Sequence, residues 1–170
     1  MHELLVVRHA IAQDRLDSAR HGIADAQRPL TTEGRKKMAL GVRGLQRLMP
    51  QLDTILSSPL LRAAETARLI SERYRSPLVE TLDSLAPQYA THELVAALNQ
   101  QRHGVLAIVG HEPGLGKLLA ALCCGKEGAA MPIKKGGVAL LRFAGPIATG
   151  RGELQWLLTP KQLRLLGKGA

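Results

Sequence analysis

Short apolar runs alternate along this chain with stretches of helical periodicity. Leu4-Leu5-Val6-Val7 comes first, and Val105-Leu106-Ala107-Ile108-Val109 lies a hundred residues on. Continuous apolar runs of this length read as strands buried on both faces of a parallel sheet. Thr54-Ile55-Leu56-Ser57 predicts a second strand, and Leu78-Val79 marks another short one. Helical patterns fill the intervals. Met38, Val42, Leu45 and Met49 fall on one face of a helix that starts after Thr31-Thr32 and stops at Pro50. Thr32 is its expected cap, and Glu33 suits its positive end. Ser58-Pro59 reads as a cap followed by proline at the first helical position. It opens a helix to about Tyr74 with Leu60, Ala63, Ala67, Ile70 and Tyr74 as the buried stripe. A turn containing Pro87 leads to a helix over about 91–101, and the Gly110–Gly116 turn leads to an apolar helix ending near Cys124.

The last third changes character. Gly136 to Phe143 and Leu154 to Leu158 read as two strands joined by a Gly/Pro-rich turn, which predicts a hairpin. The element order therefore predicts an α/β fold: a three-layer sandwich with a mostly parallel, mixed central sheet and a C-terminal hairpin. No repeat, low-complexity tract or linker divides the chain, so residues 1–170 are expected to form a single domain. Residues 10–31 follow no clean period and contain Gly22 and Pro29. Structureless loops this long are usually functional, and this one is expected to lie over a site at the first strand end.

Two of the apolar runs end on a histidine. Val7 leads into Arg8-His9, and Val109 leads into Gly110-His111. Ligands of open α/β sheets bind outside the carboxyl ends of strands, so the two imidazoles can share one pocket. Arg62, in the first turn of the helix after Ser58, should point back past the helix start, where free N–H groups also attract anions. Its planar fork, with that of Arg8, matches phosphate oxygens. A neutral imidazole is a competent nucleophile toward phosphorus once its other nitrogen is held as N–H. His9 is the candidate nucleophile, and Arg8, Arg62 and His111 are the candidate stabilisers of charge on the transferred group. Metal binding is the competing use of a histidine pair, but no Asp, Glu or Cys stands at ligand spacing beside either one. The segment Gly110 to Lys117 is not a P-loop: five residues separate Gly110 from Gly116, and Leu118 stands where a hydroxyl is needed.

Composition narrows the partners. The net charge of +9 comes from 23 Lys+Arg against 14 Asp+Glu, and residues 126–170 hold eight basic and two acidic residues. Such a balance suits an anionic partner. Aromatics make up only 2%, too few stacking platforms for a single-strand nucleic-acid binder. No run approaches the length of a membrane span, and Met1-His2-Glu3 lacks a basic leader, so a cytoplasmic location is expected. Cys123 and Cys124 are adjacent, closer than ordinary disulfide geometry accepts, and are expected to be reduced thiols in a helix.

Three segments taken together resemble the histidine phosphatase superfamily, the phosphoglycerate-mutase-like proteins. They are Arg8-His9 after an apolar strand, Ser57-Ser58-Pro59-Leu60-Leu61-Arg62-Ala63-Ala64-Glu65-Thr66-Ala67, and Gly110-His111-Glu112-Pro113. The short length, Arg28-Pro29-Leu30-Thr31 and the Trp156…Pro160 ending are similar to its SixA-type phosphohistidine phosphatases. The resemblance implies phosphorylation of His9 during turnover, with Arg8, Arg62 and His111 completing the phosphate pocket. It implies Asp25, Arg28 and Ser58 as substrate-binding residues, and no metal or organic cofactor. The substrate it implies is phosphohistidine on a signalling phosphotransfer protein. The family pattern Arg-His-Gly departs here to Arg8-His9-Ala10. A general acid after the third strand would be Glu80 or Asp83, although the local match there is poor. Two alternatives stay open from the residues: a phosphatase for a small phosphomonoester, and a non-catalytic module that binds phosphate or nucleic acid.

Overall fold

A computed structural model describes residues 2–74, 77–101, 104–126 and 128–169. The elements in chain order are β1 His2–Arg8, α1 Arg15–Arg20, α2 Thr32–Leu48, β2 Thr54–Ser57, α3 Leu61–Tyr74 and β3 Leu78–Thr81. They continue with α4 Thr91–Asn99, β4 Val105–Gly110, α5 Gly114–Cys124, β5 Val138–Phe143, β6 Glu153–Leu158 and α6 Pro160–Lys168. One six-stranded sheet runs in the order β3-β2-β4-β1-β5-β6. Strands β1 to β4 are parallel, while β5 is antiparallel to β1 and β6 to β5. This is the mixed sheet with a closing hairpin that the apolar pattern predicts.

The sheet divides the core into two layers by the alternation of its own side chains. Leu5, Val7, Ile55, Ala107, Val109, Val138 and Leu140 face the first helical layer, where Met38, Val42 and Leu45 of α2 meet Ala63, Ala67 and Ile70 of α3 and Leu163 of α6. Leu4, Val6, Leu56, Leu106, Ile108, Ala139 and Leu141 face the second, built from Leu94 and Leu98 of α4 and Leu115, Leu118 and Leu122 of α5. The helix after β1 thus lies on one face and the helix after β4 on the other. The crevice between those two strands is where the chain reverses direction across the sheet, and such a switch point is where α/β sheets bind ligands.

Several local details differ from the sequence expectation. Thr31, not Thr32, caps α2, its hydroxyl accepting from the Gly34 N–H at 2.9 Å. The turn at Ser58-Pro59 precedes α3, which begins at Leu61, and Leu60 of the expected stripe is only half-buried. Residues 10–31 are not structureless: they contain α1, capped by the Asp14 carboxylate, and a 3-10 turn at Asp25–Gln27. Helix α4 ends at Asn99, and β5 begins at Val138 rather than Gly136. Helix α6 has no counterpart in the sequence reading, although Thr159 and Gln162 form a reciprocal cap at its start.

Helix α6 lies against α2 at backbone distance. A Cβ placed on Gly44 would come 2.0 Å from the Leu163 carbonyl oxygen, and one on Gly167 would come 2.2 Å from that of Leu40. Alanine favours a helix interior over glycine by about 1 kcal/mol, but here it would wedge the two helices apart. Gly44→Ala is therefore expected to lower stability by about 2 kcal/mol in urea unfolding, against the intrinsic preference. Unchanged or raised stability would show that α6 is not held at this distance.

Candidate functional site

Strand register brings the two histidines together. Arg8 of β1 pairs with Gly110 of β4, and the His9 N–H donates to the Gly110 carbonyl at 3.1 Å. His9 and His111 each follow these partners by one residue. Their ring centroids lie 5.0 Å apart, tilted by 51°. Both are buried, with 6% and 4% of their surface exposed.

The first ring is fixed at one nitrogen. His9 Nδ1 lies 2.7 Å from the Ala10 carbonyl oxygen. A carbonyl only accepts, so Nδ1 carries the proton and Nε2 keeps its lone pair. Ala10 is held in turn: its N–H donates to Thr66 Oγ1 at 3.1 Å, and that hydroxyl donates to the Arg62 carbonyl at 2.7 Å. Thr66 is a supporting residue with no assigned part in the sequence reading, although it stands one turn after Arg62 on α3. In the second ring, His111 Nε2 and Ser58 Oγ lie 2.8 Å apart. When the hydroxyl donates to Nε2, the ring proton is on Nδ1, which has no hydrogen-bond partner among the described residues. The Leu60 N–H also donates to Ser58 Oγ, at 3.3 Å. Ser58 thus orients His111 instead of capping α3.

Two arginines close the cluster. Arg62, 5% exposed, donates through Nη1 to the Asp25 carbonyl at 2.8 Å and through Nη2 to its carboxylate at 3.2 Å. Arg8 donates through Nη1 to the Ile133 carbonyl at 2.8 Å. The Nε atoms of both are buried without partners among the described residues. Ile133 is itself placed by Glu112, whose carboxylate accepts from its N–H at 2.7 Å. Asp25 also meets Arg28 at 3.0 Å and Arg15 at 3.3 Å. Burial pushes the Asp25 carboxyl up, but Arg62, Arg28 and Arg15 outweigh that and hold it below its ordinary value. Arg28 continues outward to the Gln13 carbonyl at 2.6 Å, tying down the 10–31 segment that the sequence placed over the site.

The predicted residues thus separate into two groups. Arg8, His9, Arg62 and His111 converge, Asp25 and Ser58 attach to them, and Arg28 attaches to Asp25. Glu80 and Asp83 do not: both are exposed, and neither makes a hydrogen bond or ion pair with the cluster among the described residues.

Electrostatics keeps both imidazoles neutral. Burial lowers His9 to about 4; the bond to Ala10 opposes this, and Arg62, Arg8 and Lys135 reinforce it. Burial, then His9 and Arg62, lower His111 to about 3. Burial also lowers Arg62, with Asp25 opposing. A site with a lone pair on His9, unpartnered donors on Arg8, Arg62 and His111, and surplus positive charge is suited to a tetrahedral dianion.

Comparisons with known proteins agree with this chemistry. A sequence profile described as histidine phosphatase superfamily (branch 1) matches residues 4–86. An uncharacterized protein of Picosynechococcus sp. (strain ATCC 27264 / PCC 7002 / PR-6) is 35% identical over 166 residues, covering 95% of this chain and 98% of that one. The phosphohistidine phosphatase SixA of Escherichia coli K12 is 26% identical, covering 96% and 97%. A structure of the protein histidine phosphatase SixA complexed with tungstate superposes with a TM-score of 0.79 at 25% identity, covering 95% of this chain and 99% of that one. The alpha-ribazole phosphatase of Shigella flexneri shares the fold at a TM-score of 0.67 and 21% identity, covering 93% and 96%. The chain belongs to the histidine phosphatase superfamily and is SixA-like in form. It is a phosphatase of that superfamily. Among the described residues, no helix is long and apolar enough to cross a membrane.

The depressed histidines make stability depend on pH. Between the ordinary value of 6.5 and about 4, the unfolded chain binds a proton at His9 that the folded chain refuses. Stability therefore falls as pH drops through that window, by about 1.4 kcal/mol per pH unit for each such histidine. Urea unfolding from about pH 6 to about pH 4.5 is expected to lose roughly that slope in His9→Asn. An identical slope in parent and variant would mean that His9 takes up its proton inside the fold.

Proposed function

We propose that this chain hydrolyses phosphoryl groups through a covalent phosphohistidine on His9, and that its substrate is phosphohistidine on a protein. The observation that carries the reading is the fixed tautomer of His9. Its Nδ1–H is committed to the Ala10 carbonyl, so the Nε2 lone pair is available beside Arg8, Arg62 and His111. A neutral nucleophile in a cationic, largely desolvated pocket needs no base, since no proton has to leave it before attack.

Two displacements complete the cycle. In the first, the Nε2 lone pair forms a bond to phosphorus as the bond to the leaving atom breaks. In the second, water attacks phosphorus, the P–N bond to His9 breaks with its electron pair returning to Nε2, and a proton of the water passes to an oxygen of the departing phosphate. Arg8, Arg62 and the His111 N–H donate to the equatorial oxygens in both, where charge shifts most. The carboxylate and carbonyl of Asp25 hold the Arg62 fork in place.

Substrate chemistry follows from the acid. A phosphoimidazole protonated on its other nitrogen leaves as neutral imidazole, with no proton supplied by the protein. An alkyl phosphate leaves as an alkoxide unless a positioned acid protonates it. Glu80 and Asp83, the candidate acids, are exposed and unattached to the cluster. The cationic surroundings also suit an anionic partner such as a phosphorylated protein.

The covalent step is tested by incubating the chain with labelled phosphoramidate, quenching in base and mapping the label. Acid-labile phosphate on His9, absent from His9→Asn, is the expected result. Turnover without any label on His9 would overturn the mechanism. For the substrate, Asp83→Asn is expected to change kcat/KM on phosphohistidine by less than about threefold. A loss of about 100-fold, the scale of general acid catalysis, would place an acid in the reaction and favour a phosphomonoester.

A further inference from the structure

A cavity of about 220 Å³ lies beside the histidine cluster, between α2 and α6. It shares Ala10 and the Lys135–Gly136 segment with the surroundings of His9. Gly136 donates its N–H to the carbonyls of both Arg8 and His9 at 3.1 Å, so this wall is attached directly to the site. The floor is apolar, with Met38 of α2 and Pro160 of α6, and Gly41 leaves it unfilled. Three cations line it: Lys37, Lys135 and Arg164. Glu33 pairs with Lys37 and lies within electrostatic reach of Arg164. Lys135 and Arg164 have no ion pair among the described residues. Three cations against one carboxylate leave the cavity positive.

Neither the phosphoryl pocket nor the two displacements uses this cavity. Its combination of apolar floor and cationic lining fits a carboxylate carried on an aliphatic stem. We infer that it is a specificity subsite for an acidic side chain flanking the phosphorylated histidine of a protein substrate. The inference rests on the proposed phosphohistidine reading and deepens it, since the reading alone leaves the neighbours of the phosphohistidine unspecified. The +9 net charge favours approach of such an acidic partner; the cavity would fix where one of its carboxylates docks.

The test uses two peptides phosphorylated on a central histidine, one flanked on both sides by Glu and Leu, the other with Gln replacing each Glu. Free phosphohistidine serves as the substrate without flanks. At low ionic strength the acidic peptide is expected to have roughly fivefold higher kcat/KM than its neutral twin, through KM, as exposed charge pairs allow. In the double variant Lys37→Gln with Arg164→Gln the ratio should fall to near one, with kcat/KM on free phosphohistidine unchanged. The unphosphorylated acidic peptide should inhibit the parent competitively and the double variant much less. Thermal unfolding of the variant checks that these surface substitutions leave the fold intact. A ratio that stays the same in parent and variant overturns the subsite alone. Failure of the parent to hydrolyse free phosphohistidine and both peptides overturns the phosphohistidine reading and the subsite with it.

Discussion

The parallel pairing of β1 with β4 is the constraint on which the site depends. It aligns Arg8 with Gly110, so the first residue past each strand is a histidine and the two rings meet. The pairing is secured by burial, because Leu4 to Val7 and Leu106 to Val109 are enclosed on both faces. A slip of one residue would send every one of these side chains to the opposite layer. The core thereby fixes the position of the chemistry to within a hydrogen bond. The cost of that precision is desolvation, and the same burial that packs the strands keeps both imidazoles uncharged.

Burial and charge act in one direction at His9 and in opposite directions at Asp25. Positive neighbours and lost solvent both disfavour a charged imidazole, so His9 stays a neutral base far below its ordinary range. For the Asp25 carboxyl, lost solvent favours the neutral form and the arginines favour the anion; the arginines win. One anionic side chain therefore persists amid the cations, attached to Arg62.

What the sequence shows plainly is what depends on local pattern. The buried strands are legible because their apolar runs have no helical alternative of the same length, and α2 because Met38, Val42 and Leu45 recur at helical spacing. The four converging residues are legible because each stands at a strand end or helix start, where direction follows from chain geometry. Helix α6 is not legible by period, being short and starting at Pro160; only the Thr159–Gln162 cap announces it. Helix α1 has six residues, too few for a periodic stripe. Ser58 carries a sequence signature that suits a cap, yet in the fold its hydroxyl meets His111, 53 residues away. The Arg62–Asp25 and Arg8–Ile133 bonds likewise join residues 37 and 125 positions apart, which spacing along a chain cannot disclose.

Ile133 ties the two halves of the site into one brace. Its carbonyl accepts from Arg8, its N–H donates to Glu112, and Glu112 adjoins His111. Since Arg8 adjoins His9 and the rings touch, the contacts form a closed circuit through β1, β4 and the segment before β5. A mechanical frame of this kind does not hinge at one joint: displacing residues 131–133 strains both ends together. The opposite wall is braced separately, through Asp25 and its bonds to Arg62, Arg28 and Arg15.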